Sequence, residues 1–202
     1  MKHFLGIDDE EFLRGKAPMT KREVRILTLA EAHIQETDIV CDIGAGTGSL
    51  SIEAALLATQ GHVYAIERKA EAIALLHQNQ EKFRAKNLTI IEGEAPKAMR
   101  TLPAHLDVAL IGGTGNHLEA ILDEVGTRLV EGGRIIVNCI TAQTLTDTLR
   151  YFRVHAEYQT HAEGLQVTRW KRVGPYDMAD ALNPVHIIAA EKQSLKEEED
   201  YA

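Results

Sequence analysis

The chain has 202 residues, 45% hydrophobic and 26% charged, which fits one globular domain and excludes a disordered chain or a coiled coil as its main state. Its formal net charge of −8 argues against a broad basic face for nucleic acid or an anionic membrane. Apolar runs such as 108–111 fall far short of the roughly 20 residues of a membrane-spanning helix. The opening residues carry no signal-like apolar run, and Cys41 and Cys139 both sit inside apolar segments, so the expected setting is cytoplasmic with reduced thiols.

In chain order, Thr20 precedes a helical pattern over 21–33, and Glu23 three residues later gives the pair the form of a capping box. From residue 38, short β-branched runs alternate with longer helical patterns. This predicts strands at 39–43, 63–66, 89–91, 108–111 and 134–139, with helices at 50–59, 70–84, 118–130 and 143–152. Gly132 and Gly133 read as the stop of the helix at 118–130. Two more strands are expected at 158–168 and 185–190, joined through 170–184 without a helix, as a hairpin-like pair at one edge. The alternation specifies an α/β fold, a seven-stranded mostly parallel sheet with helices on both faces. A single domain is expected over 1–192, followed by a disordered acidic tail at 193–202.

The sharpest motif is Asp42-Ile43-Gly44-Ala45-Gly46-Thr47-Gly48-Ser49, a strand running into glycines and then a helix. Glycines serve where the backbone turns tightly and a ligand must approach without a Cβ in its way. A P-loop would place Gly-Lys-Ser/Thr at the end, but Gly48 is followed by Ser49 and Leu50. The dinucleotide fingerprint needs a glycine three residues after Gly46, where Ser49 stands. The spacing therefore fits S-adenosylmethionine better than NAD. Glu67 ends the second strand, 19 residues after Gly48, where a carboxylate can accept both ribose hydroxyls. The third strand ends in Glu92-Gly93-Glu94-Ala95, where a carboxylate and a backbone N–H can meet an adenine. All three features fall at the carboxyl edge of the sheet, the ligand edge of open α/β folds.

With Pro-Met-Thr-Lys-Arg-Glu-Val-Arg at 18–25 before the glycine motif and Ile-Gly-Gly-Thr-Gly-Asn at 111–116 after it, the chain resembles the CbiT family of cobalamin biosynthesis over nearly its whole length. The resemblance implies a class I S-adenosylmethionine-dependent methyltransferase that methylates C15 of cobalt-precorrin-6B and decarboxylates its C12 acetate. It implies cofactor contacts from Thr20, Gly44, Ala45, Gly46, Thr47, Gly48, Glu67, Glu94 and Ala95, with residues 1–36 as a covering segment. It also implies a homotetramer. Fused relatives carry a second domain for C5, so this chain is expected to be the stand-alone C15 enzyme, with a separate C5-methyltransferase of the same pathway as a partner.

On the substrate side, the end of the fourth strand carries Gly112-Gly113-Thr114-Gly115 in place of the Asp/Asn-Pro-Pro-aromatic motif of amine-methylating enzymes. These glycines are expected to let a large planar substrate approach backbone N–H groups that form an anion nest. Asp107 starts that strand, on the edge away from the ligand. Asn138 and Thr141 flank the end of the fifth strand as candidate pocket groups. Cys139, between them, is expected to be an inert buried thiol. The histidines show no metal-ligand spacing, so no metal is expected. Arg14, Lys16 and Lys21 are candidates for the substrate's carboxylates, with Arg169, Lys171 and Arg172 as a second cluster. No catalytic acid or base is assigned, because a sulfonium and an electron-rich ring carbon chiefly need alignment. An RNA or protein-carboxyl methyltransferase, or a non-catalytic cofactor-binding interaction protein, are the alternatives.

Overall fold

The computed structural model describes residues 5–194, so most of the tail expected at 193–202 lies outside the described residues. Five helices and nine strands follow a short 3₁₀ turn at Asp9–Glu11. They run α1 Arg22–Ala32, β1 Ile39–Ile43, α2 Ser49–Leu57, β2 His62–Glu67, α3 Ala70–Phe83, β3 Leu88–Glu92, β4 Leu106–Ile111, α4 Leu118–Gly126, β5 Leu129–Cys139, α5 Ala142–Val154, β6 Tyr158–Leu165, β7 Thr168–Val173, β8 Tyr176–Ala181 and β9 Val185–Lys192. Seven strands form one sheet in the order β3-β2-β1-β4-β5-β9-β6. The first five are parallel, and β9 inserts antiparallel between β5 and β6. Among the described residues no helix is long and apolar enough to cross a membrane.

The strands read as continuous apolar runs because the sheet is covered on both sides. Successive side chains point to opposite faces. Cys41, Ile43, Ala109, Ile111 and Val137 therefore pack with Ile121 and Leu122 of α4 and Phe152 of α5. Val40, Val63, Val108, Leu110 and Ile136 pack on the other side, with Leu29 of α1, Ile52 of α2 and Leu76 of α3. This sandwich fixes the strand ends whose loops build the site.

Three sequence expectations fail locally. The capping box does not form: Lys21 is the N-cap of α1 and gives no side-chain cap bond, while the Glu23 carboxylate accepts from Arg169 instead. Gly132 and Gly133 do not stop α4, which ends at Gly126. They lie within β5, whose pairing with β4 shifts register between Leu106 and Val108. The link at 170–184 is not plain connection either. β7 and β8 pair as a separate two-stranded hairpin, so the strand expected at 158–168 ends at Leu165, and among the described residues two strands stand outside the expected seven-stranded sheet. The hairpin escapes a search for buried β patterns because its residues are almost all exposed.

Candidate functional site

A cavity of about 550 Å³ opens at the carboxyl edge of β1, β2, β3 and β4 and continues past β5 to Leu165, Val167, Leu182 and Val185. Its floor is the glycine loop. Gly44 and Ala45 donate to the carbonyl of Ile66 at 2.9 and 3.1 Å, which folds the loop back over β2. Gly44 has φ +75°, and a Cβ there would lie 2.6 Å from the nitrogen of Gly113, so only glycine lets the β1 and β4 loops meet. The Glu67 carboxylate, 7% exposed, accepts from the backbone N–H of Gly46, Arg68 and Lys69, each at 2.9 Å. A carboxylate offers about four acceptor sites, so Glu67 keeps about one for a ligand hydroxyl rather than the two expected.

Gly46, Glu94 and Ala95 line the cavity with Gly44, Ala45 and Glu67. Thr47 and Gly48 do not. Gly48 has φ +80°, and a Cβ on it would strike Leu76 Cδ1 at 1.9 Å, so it serves the packing of α2 on α3. Thr47 is buried beneath the loop, where its carbonyl accepts from Asn79 at 2.9 Å and its hydroxyl has no partner. Asp42 lies under the same loop and accepts from the Ser51 hydroxyl. Burial, reinforced by the Glu67 charge, pushes the Asp42 carboxyl up to about 6.

Residues 17–21 form the roof, with Thr20 and Lys21 lining the cavity and the Pro18 carbonyl 3.1 Å from where a Gly46 Cβ would stand. The roof is tied down by Arg25, which is fully buried. Arg25 donates to Asp9 and Glu53 at 2.8 Å each, to the Thr20 carbonyl at 2.5 Å, and to the Ile7 carbonyl. Arg169 of β7 then bridges Asp9 at 3.2 Å and Glu23 at 2.6 Å. Burial opposes ionisation of Asp9, but Arg25 and Arg169 together outweigh it and hold its carboxyl below the usual range.

Several substrate expectations change on this geometry. Gly112 and Gly113 line the cavity, but both donate to the Ile43 carbonyl, at 3.0 and 3.3 Å, so their N–H groups are not free for an anion nest. Thr114 and Gly115 line it beside an exposed ion pair of Arg68 with Glu94. Arg14 and Lys16 are exposed and outside the lining, which leaves Lys21 as the contributor from that cluster. Arg169 is held by Glu23 and Asp9, Lys171 pairs with Asp180 at 3.0 Å, and Arg172 bonds the Gly174 carbonyl. None of the three lines the cavity. Thr141 caps α5 by accepting from Thr144 N at 3.1 Å. Asn138 does line the cavity.

Asp107 accepts from Ile39 N at 2.7 Å, a structural role at the far edge. Both cysteines are buried, and burial pushes both thiols up, against a nucleophilic Cys139. Sequence reasoning missed Arg68, Lys69, Ile140 and the apolar wall at Leu165, Val167 and Leu182, which only the tertiary fold brings together. It also missed Glu31, His161 and Glu163, whose ligating atoms meet within 4.8 Å outside the cavity, between α1 and β6.

A family model for the precorrin methyltransferase domain matches residues 11–192. A cobalt-precorrin-6B C(15)-methyltransferase (decarboxylating) of Salmonella typhimurium is 37% identical over 186 residues, covering 92% of this chain and 95% of that protein. The crystal structure of a precorrin-6y C5,15-methyltransferase from Geobacter metallireducens superposes with a TM-score of 0.88 at 39% identity, covering 93% of this chain and 98% of that one. A precorrin-8W decarboxylase from Methanobacterium thermoautotrophicum gives 0.84 at 33% identity, covering 91% and 98%. Likeness at 18% identity to a SAM-dependent O-methyltransferase of Thermotoga maritima, with a TM-score of 0.74 over 89% and 68% of the two chains, shows the shared fold.

Proposed function

This chain belongs to the precorrin methyltransferase family, and from that premise we propose that it methylates C15 of cobalt-precorrin-6B, with decarboxylation, using S-adenosylmethionine. The observation that carries this reading is one continuous cavity, with the glycine loop, Glu67 and Glu94–Ala95 at one end and an apolar wall at the other. The first end suits the cofactor. Gly44 lets the β1 and β4 loops close on each other beneath the cavity, and Glu67 retains acceptor capacity for a ribose hydroxyl. Thr20 and the backbone at Ala95 complete the proposed contacts. When bound, S-adenosylmethionine supplies a methyl group already activated as a sulfonium.

The second end suits part of a flat macrocycle. Ile140 is 66% exposed at the mouth, and with Leu165, Val167 and Leu182 it offers an apolar face. Lys21 is placed to meet a substrate carboxylate by a charge-assisted hydrogen bond. The protein's contribution is alignment and exclusion of water. Incubation with S-adenosylmethionine and cobalt-precorrin-6B, followed by mass spectrometry, tests the reading. The expected product has gained one methyl group and lost one carbon dioxide; unchanged substrate in the presence of a cofactor-binding protein would reject it.

Homotetramer formation, cooperation with a separate C5-methyltransferase and cytoplasmic residence belong to the same proposal. The β7–β8 hairpin, with Trp170 and Tyr176 both 71% exposed, is the surface that favours self-association. Light scattering of the wild type and of Trp170→Ser with Tyr176→Ser checks this, a smaller particle in the double variant being expected.

A further inference from the structure

Every residue of β7 and β8 is exposed except Arg169. Among the described residues the two strands pair only with each other, while Lys171 and Arg172 bond within the hairpin, to Asp180 and to the Gly174 carbonyl. Arg169 faces the other way. Its Nε and Nη2 donate to the two oxygens of Glu23 at 3.1 and 2.6 Å, and Nη2 also reaches Asp9 at 3.2 Å. Among the described residues these are the hydrogen bonds that tie the hairpin to the rest of the chain. The base of the hairpin is part of the cavity. Val167 stands immediately before β7 and Leu182 immediately after β8, and both belong to the apolar wall. The Leu182 N–H donates to the Val167 carbonyl at 2.9 Å, and the Gln166 side-chain amide donates to the Leu182 carbonyl at 2.7 Å, so the two move as one piece. Across the arginine, Glu23 stands between the lining residues Lys21 and Val24, and Asp9 shares Arg25 with the Thr20 carbonyl of the roof. One side chain therefore joins the wall to the roof.

We propose that Arg169 is a positioning residue for the substrate: by clasping Glu23 and Asp9 it holds Val167 and Leu182 at a fixed distance from Lys21, so that the slot for the macrocycle exists before the substrate arrives. The identity of that substrate rests on the function proposed above. Arginine suits the place because its planar fork presents fixed donors to carboxylates on two elements, where lysine offers one mobile point charge. Without the clasp the wall is in place for only a fraction of the time, and apparent substrate affinity falls by that fraction. Saturating substrate draws the wall back, so the effect belongs in KM and not in kcat. The cofactor end is spared, because Arg169 takes no part in the bonds of Glu67 and the glycine loop, and Thr20 keeps its bond from Arg25. The fold survives as well, since Asp9 keeps Arg25 and the Glu23 side chain, 31% exposed, reaches water.

The test compares Arg169→Met, Arg169→Lys and Glu23→Gln with the wild type, and Lys171→Met, which breaks a pair inside the hairpin, is the control. Trp170 is the single tryptophan of the chain and neighbours Arg169 on β7, so its fluorescence reports on the hairpin alone. Melting curves, S-adenosylhomocysteine stoichiometry and light scattering first establish that the variants are folded, bind cofactor and keep the wild-type particle size. In Arg169→Met the time-resolved anisotropy of Trp170 should decay faster. KM for cobalt-precorrin-6B should rise at least about tenfold, with kcat per cofactor-binding site within about threefold, as for a wall in place about a tenth of the time. Arg169→Lys should recover part of the KM, Glu23→Gln should raise it by less, and Lys171→Met should match the wild type in both readouts. If Arg169→Met does not fold, Glu23→Gln carries the same test with a smaller shift. An unchanged KM in the folded variant, or a kcat loss that only follows the loss of cofactor-binding sites, would overturn the proposal, as would an unchanged Trp170 decay. If the wild type binds S-adenosylhomocysteine yet leaves cobalt-precorrin-6B unchanged, the proposed function itself fails, while the Trp170 decay still decides whether Arg169 holds the hairpin.

Discussion

The two ends of the cavity are built by opposite strategies. At the glycine-loop end, Gly44, Gly46, Glu67 and Ala95 come from consecutive strand ends, and the contacts that shape them run between neighbouring segments, such as Gly44 N–H to the Ile66 carbonyl and Gly46 N–H to the Glu67 carboxylate. At the roof and the apolar wall, contributors come from both ends of the chain. Arg25 gathers Ile7, Asp9, Thr20 and Glu53, and Arg169 reaches back to Glu23 across 146 residues of sequence. The first end is specified by local chemistry. The second exists only once the tertiary structure has formed, so a lesion there should register as lost stability as well as altered binding.

The largest effect expected from this contrast is at Arg25. Arg25→Met leaves the buried Glu53 carboxylate without its counter-charge and Asp9 with Arg169 alone, and should cost about 3–5 kcal/mol, measured by denaturant unfolding. A loss below about 1 kcal/mol, the level of a surface ion pair, would break the distinction between the two ends.

The next concerns the floor of the loop and its pH dependence. The Asp42 carboxyl rises from 3.8 to about 6 on folding, chiefly through burial. A raised acid contributes stability below its unfolded pKa and loses it as pH climbs through the folded value. Relative to Asp42→Asn, the wild type should therefore lose on the order of 2–3 kcal/mol between about pH 4 and pH 7. Parallel stability curves for the two proteins across that window would show that burial does not act on Asp42 as described.

How much of this was legible beforehand follows from the same contrast. The parallel strands, the glycine loop and Glu67 could be read because periodicity and spacing are local signals. The capping box failed because Glu23 had a stronger partner in Arg169, which no local window contains. Gly132 and Gly133 misled because a glycine pair serves an irregular strand as readily as a helix end. Arg14 and Lys16 had the right charge but the wrong place, a matter decided by the path of the roof. Asn138 was legible as a polar residue at a strand end, while its orientation depends on Thr28 of another element.

Smaller effects sharpen the substrate end. Lys21→Met should weaken cobalt-precorrin-6B binding by about 1–3 kcal/mol, a charge-assisted contact, and the loss should shrink with added salt. Arg14→Ala and Lys16→Ala, at exposed positions outside the lining, should each change it by less than about 0.5 kcal/mol. The ranking is checked by titrating substrate at low and moderate salt. Cys139→Ala should alter turnover least of all, within a few-fold of wild type, since its thiol is buried and held away from ionisation.

The division of the cavity is tested most directly by titrating S-adenosylhomocysteine calorimetrically into the wild type, Glu67→Gln and Lys21→Met, each confirmed folded by its melting curve. Glu67→Gln should bind at least about tenfold more weakly, because an amide replaces the charged acceptor beside the loop, while Lys21→Met should bind as the wild type does. Equal affinity of the wild type and Glu67→Gln would contradict the placement of the cofactor at the glycine-loop end.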